Sequence, residues 1–384
     1  MVLLALFGKF GALSSSQELL SVAFGDPAKF ILPCNSSAPC KQSVAWAGFD
    51  EASRNLARDA REALGVWRKR GGFSTQQVED ALVTCRQRLT HAACTRFAVQ
   101  NGTLVILSSA GHPFEQVWVD QLMYLNERHG LPEHLDFVIH YADNPVMSIT
   151  DPEAPIFASN THVDRIDVGL PGFCRDQFDL TGSKAARARH PWRERKNMVV
   201  WRGTCTGGYP TLETWRDFPR VKLANFTSNY PEYFDVKLVK ACTGCPEENV
   251  YDEMAKFIPT TDVHMSREEL RTYRMILDID GNAFSNRLRW MTKENFLIFK
   301  VQTPHSEYFT KYFRDGEHLY EVKSDFSDLV EKVQYALEHE EKTLAMLEAA
   351  ARQSHLYLGR GMWEFYSLAL FHEYMELFNR TGVT

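Results

Sequence analysis

The sequence predicts an α/β protein, built either as two domains or as one large α/β unit, and three observations point there. A chain of 384 residues with 44% hydrophobic content exceeds what most single cores enclose. Met275 to Val301 (MILDIDGNAFSNRLRWMTKENFLIFKV) reads as strand, glycine loop, helix and returning strand. Met198-Val199-Val200-Trp201 is a second apolar strand, and it runs straight into Arg202-Gly203-Thr204. Junctions of this kind, joined by right-handed crossovers, are the units of parallel sheets.

Taken in order, the chain opens on a short apolar stretch, Val2 to Phe7, broken by Gly8-Lys9 and resumed by Phe10 to Leu13 ahead of three serines. Residues 1–30 therefore read as a weak signal peptide or the remnant of an anchor. No window of about 18 apolar residues occurs, so no membrane-spanning helix is expected. Residues 43–90 read as helical. Ala52 to Trp67 is amphipathic, and Ser74-Thr75-Gln76-Gln77 carries a capping pattern that opens a further helix. Leu104 to Leu107 is a strand and Gln116 to Glu127 a helix. Phe137-Val138-Ile139 is a short buried strand ending at Tyr141-Ala142-Asp143-Asn144-Pro145. Pro145 disfavours helix at Asn144 and puts Asp143 in a turn at the strand's carboxyl end, where α/β sheets carry reactive side chains.

Ser148 to Thr181 is loop-rich and precedes the strand that ends at Arg202. Tyr209 to Met265 alternates short strand and helix signals around Val221-Lys222-Leu223 and Val236-Lys237-Leu238, as suits the flank of a second sheet. Tyr320-Glu321-Val322 is the last strand. Asp328-x-x-Glu331 then caps an amphipathic helix bearing Leu329, Val333, Leu337 and Leu344. Met362 to Phe378 is apolar on most faces and must be a buried helix.

A formal charge of −6 argues against a general nucleic-acid binder, so any anion site must be local. The one basic cluster, Lys184 to Lys196, reads as a solvated linker between lobes rather than an RNA or heparin patch. Eight cysteines are too few for a disulfide scaffold, but the spacings Cys34/Cys40 and Cys85/Cys94 suit loops closed by disulfides. Cys174 and Cys205 stand alone. Cys242-Thr-Gly-Cys245 lacks both a second CxxC for zinc and the strand-helix context of a redox pair. Sequons at Asn35, Asn101, Asn225 and Asn379 lean towards secretion.

Three places could carry chemistry. The loop at Gly281, with Ser285 as N-cap and Arg287 in the first helical turn, would cradle a phosphate, and Arg202 beside Gly203 would complete a two-guanidinium clamp. The plain alternative makes Arg202 a strand-end salt bridge and Arg287 a solvated charge. Asp278-Ile279-Asp280 is a literal DxD, the pattern by which some sugar transferases hold a divalent ion, though a nearby arginine would make the metal redundant. Asp143 is either a general base or a turn aspartate capping its own backbone. GxSxG, GxxxxGK[ST] and GxGxxG motifs are absent.

At these residues the chain resembles a known family. Trp192-Arg193-Glu194-Arg195-Lys196 running into Val199-Val200-Trp201-Arg202-Gly203-Thr204 is similar to the W-x-x-K…(F/W)-R-G-(S/T) motif of the CAP10-like glycosyltransferases, which include protein O-glucosyltransferases and capsule-associated xylosyltransferases. Tyr273-Arg274 followed by Asp278 to Arg287 resembles its Y-K…G-x-x-x-S-x-R donor motif. Phe296 to Lys300, Glu307-Tyr308-Phe309 and His318 match the segments after it, and the likeness runs from about Phe137 to Phe378. The resemblance implies a GT-B-like fold, two Rossmann-like lobes facing a central cleft. Residues 31–185 would form an acceptor lobe, 186–350 a UDP-sugar donor lobe, and 351–384 a helix returning to the first lobe.

It further implies an inverting transfer of glucose or xylose from a UDP-sugar to a hydroxyl of a protein or polysaccharide. No metal or other cofactor, no nucleic acid and no membrane span would be involved, and the setting would be the endoplasmic reticulum or Golgi lumen, or secretion. Asp143 falls on the family's base, and Arg202, Gly203, Thr204, Gly281, Ala283, Ser285 and Arg287 fall on or within its donor-binding segments. The chain departs from the family at Ala142 and Asn144, which flank the base, and at Leu319 and Glu321. Those departures keep open a non-catalytic sugar-nucleotide or glycan-binding protein on the same scaffold. A metal-dependent transferase using Asp278 and Asp280 is the other alternative.

Overall fold

The structure, a computed structural model, describes residues 49–89, 93–143, 145, 147, 153–172, 189–240 and 249–379. Residues 1–30, the pair Cys34 and Cys40, Asn35, Asn144, Cys174, the start of the basic cluster at 184–188, and Cys242 with Cys245 lie outside the described residues.

The first helix, α1 (Phe49–Ala63), buries Ala52, Leu56 and Ala60, a single stripe at four-residue spacing. The next long one, α2 (Thr75–Arg88), opens as its sequence predicts. Ser74 Oγ accepts from the Gln77 amide at 3.4 Å, and Gln77 Oε1 accepts from the Ser74 amide at 2.9 Å. A disulfide, Cys85–Cys94, ties α2 to the first sheet, as the cysteine spacing suggests.

That sheet consists of β1 (Cys94–Gln100), β2 (Thr103–Ser108), β3 (Asp136–His140), β4 (Ile156–Ala158) and β5 (Val168–Gly169), in the order β2-β1-β3-β4-β5. β1 lies antiparallel to β2 and β3, and the remaining pairs are parallel. The sequence reading misses β1 because Thr95, Arg96 and Gln100 interrupt its apolar run. In the fold, Arg96 is buried against Asp136 through bonds of 2.8 and 2.7 Å, so the charge sits inside a strand. The helix α3 (Glu115–His129) presents Trp118, Leu122 and Leu125 to the core.

The second sheet is β6 (Lys196–Gly203), β7 (Phe234–Val239), β8 (Thr260–Thr261), β9 (Tyr273–Asp278), β10 (Leu297–Val301) and β11 (Tyr320–Val322). Its order is β8-β7-β6-β9-β10-β11 with every pair parallel. Winding runs outward from β6 in one direction, then reverses to continue from β9. Such a reversal opens a crevice at the carboxyl ends of the two central strands. The loops after Gly203 and Asp278 are therefore neighbours by topology.

Both faces of the sheet are covered, which is why its strands read as unbroken apolar runs. Val200, Ile276 and Ile298 face a core shared with the first sheet, while Val199, Trp201, Met275, Leu277, Leu297 and Phe299 face a second core. Val221-Lys222-Leu223 lies not in a strand but in α4 (Pro219–Thr227), where Pro219 occupies the first turn and fixes the helical φ.

The amphipathic stretch after β11 is two helices, α5 (Leu329–Glu338) and α6 (Glu340–Tyr357), so Leu344 belongs to the second. Asp328 makes no capping bond; its carboxylate accepts from the Lys323 amide at 3.0 Å instead. The last helix, α7 (Arg360–Leu377), is buried nearly all round. Tyr374 Oη donates to Asp136 O at 2.7 Å, and the tilted rings of Phe371 and Phe137 have centroids 5.1 Å apart. Its Glu364 accepts from Tyr124 Oη at 2.7 Å. Among the described residues no helix is long and apolar enough to cross a membrane.

Candidate functional site

Two close approaches shape the crevice. A Cβ on Gly203 would lie 2.6 Å from the Trp201 ring and 3.2 Å from Arg287 Nη2, and one on Gly281 would lie 2.7 Å from Thr206 Oγ1 and 3.0 Å from Arg220 Nη2. Arg220, in the first turn of α4, binds both loops through three carbonyls: Asp280 O at 2.9 Å, Thr204 O at 3.0 Å and Ile279 O at 3.2 Å. Burial pushes Arg220 down to about 10, with the charge of Arg287 adding to the shift. Two guanidiniums thus share the crevice.

The Arg287 guanidinium lies over the Trp201 ring at 5.7 Å and makes no hydrogen bond or ion pair with any described residue. Burial lowers its pKa, and Asp278 opposes that shift. A cation stripped of water and left without a partner favours an incoming anion.

The clamp inferred from sequence is corrected here. Arg202 folds back along the sheet, donating to Asp235 Oδ1 at 2.7 Å and to Asp235 O at 2.6 Å, although Asp235 pairs with Val200. Tyr273 Oη donates to the other oxygen of Asp235. Arg202 therefore braces the strand, and Arg220 is the second guanidinium at the loop. The sequence signal for Arg220 was Pro219, which marks a helix start and sets the next side chain against the preceding loop.

Ser285 also differs from its expected part. The helix after it is one turn, Leu288–Met291, with Arg287 at its N-cap position. Ser285 is buried, its amide donates to Asp280 Oδ1 at 3.0 Å, and its hydroxyl accepts from the Arg287 amide at 3.4 Å. So short a helix contributes little dipole, and anion affinity rests on the guanidiniums. Ala283 closes the loop by accepting from the Gly281 amide at 3.0 Å.

The DxD carboxylates are occupied by protein groups. Lys300 Nζ stands 3.2 Å from Asp278 Oδ2 and 3.7 Å from Asp280 Oδ1, and Thr303 Oγ1 donates to Asp280 Oδ2. Burial alone would lower Lys300, but Asp278 and Asp280 hold it above the ordinary lysine value. Burial raises Asp280, with Lys300 opposing. Among the described residues no group of three His, Cys, Asp or Glu side chains could hold a metal ion. Beside Thr303 opens a cavity of about 560 Å³ lined by Lys300, His305, Lys311, Arg314 and Glu321.

Asp143 comes to this loop from the end of β3. Asn282 Nδ2 donates to Asp143 Oδ2 at 2.9 Å, and Asn282 Oδ1 accepts from the Gly207 amide at 2.8 Å. Asn160 Nδ2 donates to Asp143 O at 2.9 Å, and its Oδ1 meets His305 Nδ1 at 3.1 Å. Below, the fully buried pair His140 and Asp167, 3.1 Å apart, anchors the strand end. The structure thus joins Asp143, Gly203, Gly281 and Arg287 around one crevice, with Thr204 contributing its backbone. Asn282 and Asn160 were not singled out from sequence, because asparagine in a Gly-Asn or Ser-Asn turn looks like an ordinary turn former. Behind the loop, the fully buried Arg289 donates to Gly172 O at 2.7 Å and pairs with Glu307.

The profile described as glycosyl transferase family 90 matches residues 58–381. Protein O-glucosyltransferase 2 of Danio rerio is 23% identical over 309 residues, covering 75% of this chain and 56% of that protein, so the chain spans little more than half its length. Protein O-glucosyltransferase 3 of Rattus norvegicus is 30% identical over 70 residues, 18% of this chain and 14% of that one. A solved glycosyltransferase from Rickettsia africae ESF-5 superposes with a TM-score of 0.38 at 11% identity, over 58% of this chain and 64% of the other.

Proposed function

We propose that this chain, which belongs to glycosyl transferase family 90, is an inverting O-glycosyltransferase of GT-B architecture. It would move glucose or xylose from a UDP-sugar to a hydroxyl. The observation that carries this reading is the desolvated guanidinium of Arg287, unpaired among the described residues, at the crevice between β6 and β9. A diphosphate seated there would gain a planar fork and, in departing, would hand its developing charge to that cation. Arg220 supports the loop and adds positive field. Asp143, whose second carboxylate oxygen makes no bond with a described residue, would take the proton of the attacking acceptor hydroxyl. The cavity beside Thr303 offers the rest of the donor a bounded space.

Lys300 places a cation against both Asp278 and Asp280, which supports a metal-independent transfer. The disulfide supports an oxidising compartment, the lumen of the secretory pathway or beyond. Glucose and xylose differ by one hydroxymethyl group, a difference worth only about 1–3 kcal/mol in a pocket.

The deciding experiment measures UDP release from UDP-glucose and UDP-xylose across a panel of protein and glycan acceptors, with the product anomer read by NMR. Turnover with inversion, abolished in Asp143→Asn, is the expected result. UDP binding without turnover from any donor would favour the non-catalytic binding reading, which Ala142 beside the base keeps in view.

A further inference from the structure

Asp143 and the anion loop come from different sheets, and one side chain joins their functional groups. Asn282 follows Gly281 directly on the loop that carries Arg287. Its Nδ2 donates to Asp143 Oδ2 at 2.9 Å, while its Oδ1 accepts from the amides of Gly207 at 2.8 Å and Gly208 at 3.4 Å. Those two glycines have φ of +108° and +130°, a backbone that points their N–H groups at the amide oxygen and that other residues rarely adopt. The oxygen is thereby committed to two donors, so the Asn282 amide can present only its nitrogen to Asp143. Asn160 fixes the other side of the same residue through its carbonyl.

We infer that Asn282 is the positioning residue that aims the Asp143 carboxylate and makes its alignment depend on the loop that receives the donor. This rests on the proposed role of Asp143 as base. One carboxylate oxygen is held and the other is left for the acceptor hydroxyl. The loop that carries Arg287 thus also holds the base, through the Asn282 amide.

The titratable and charged groups around the pair are His305, reached through Asn160, His162 at 4.9 Å from the His305 ring, Asp280 and Arg287 on the loop, Arg220 against Gly281, and Lys300 beside Asp280. Burial, then His162 and Lys300, push His305 below its usual value. Division by the wild-type profile cancels what these groups contribute in common.

The test measures kcat, donor KM and acceptor KM for wild type, Asn282→Ala, Asn282→Asp and Asp143→Asn, with UDP affinity by calorimetry. Asn282→Ala should lower kcat by about 10- to 100-fold, the range for misplacing one catalytic group, with UDP affinity near wild type. Asn282→Asp is isosteric and keeps the acceptor for Gly207 and Gly208. Its introduced carboxyl can donate to Asp143 only when protonated, and two ionised carboxylates at hydrogen-bond distance repel. The ratio of its kcat to that of wild type should therefore rise as pH falls, a signature that a merely structural asparagine would not give.

A flat ratio across pH, a wild-type kcat in Asn282→Ala, or a UDP affinity that falls in step with kcat each overturns the inference. Failure of the underlying reading looks different. If Asp143→Asn keeps full kcat, Asp143 is not the base and both ideas fall. If Asp143→Asn is inactive while Asn282→Ala is unimpaired, the base stands and only the positioning role is lost.

Discussion

Lys300 Nζ stands 3.2 Å from Asp278 Oδ2, and both side chains are withdrawn from solvent. The two strands that carry them are paired in register, Asp278 opposite Lys300, so the contact is written into the β9–β10 ladder. The pair converts what reads in sequence as a metal motif into internal charge balance.

Removing Lys300 alone leaves a buried carboxylate uncompensated, and Lys300→Met should cost about 3–5 kcal/mol. Combining it with Asp278→Leu should recover much of that loss, because an apolar pair can replace a buried ion pair at little cost. Urea unfolding of the two single variants and the double gives the coupling, and simple additivity would refute it. Transfer activity should be unchanged by a chelator.

The contrast between Arg287 and Arg202 gives a second prediction. The Arg287 guanidinium has no hydrogen-bond or ion-pair partner among the described residues, whereas Arg202 is committed to Asp235. Arg287→Ala should lower kcat/KM for the UDP-sugar by about 10²- to 10³-fold, the scale for removing one charge-stabilising donor. Arg202→Met should leave that parameter close to wild type but lose about 2 kcal/mol of stability with its charge-assisted bonds. Steady-state kinetics beside denaturant melts separates them. A donor defect in Arg202→Met equal to that of Arg287→Ala would restore the clamp suggested by the sequence.

The same bonds set an acid sensitivity. Burial alone would raise Asp235, but bonds from Tyr273 and Arg202, with the charge of Arg202 and Lys237, hold it below the usual carboxylate range. A depressed folded-state pKa stabilises the fold above the unfolded value of about 3.9, and that contribution is lost as pH falls through the folded value. Wild type should therefore lose stability below about pH 4 more steeply than Asp235→Asn, which has no proton to take up there. Urea midpoints measured across that range check the slope, and parallel curves for the two proteins would exclude Asp235 as a contributor.

These cases show where the sequence was legible. Runs such as Val199-Val200-Trp201 and Ile276-Leu277 declare buried parallel strands, and the Ser74/Gln77 box declares a helix start, because each signal is local and periodic. The sheet order that puts Gly203 beside Gly281 depends on β9 returning to pair with β6 after β7 and β8 have been laid on its other side, and no local pattern encodes it. Arg202 misleads because strand alternation and the register with Asp235 decide its direction, and both are tertiary facts. Arg220 was hidden for the opposite reason: Val221-Lys222-Leu223 has strand propensity, which the Pro219 start overrides. Asn282 is a turn residue by type and becomes more than that only when Asp143 arrives from the other sheet.

Gly203 tests the closeness of the crevice itself. Its φ is not in the left-handed region, so backbone freedom does not explain the glycine, and space does. An added methyl group would sit 2.6 Å from Cζ2 of Trp201 and 3.2 Å from the Arg287 guanidinium. Trp201 is 1% exposed and packed on Val236 and its neighbours in the second core, so it yields little. The overpacking should cost about 1–3 kcal/mol in Gly203→Ala. The more mobile partner is Arg287, whose displacement should raise donor KM more than acceptor KM, since Asp143 itself follows β3 of the other sheet. Gly65→Ala is the control. A Cβ there meets nothing within 4 Å, and at a helix start it should leave melting temperature and both KM values essentially unchanged or slightly improve stability. Equal changes in both KM values for Gly203→Ala would mean that the residue supports the fold generally and not the donor side of the crevice.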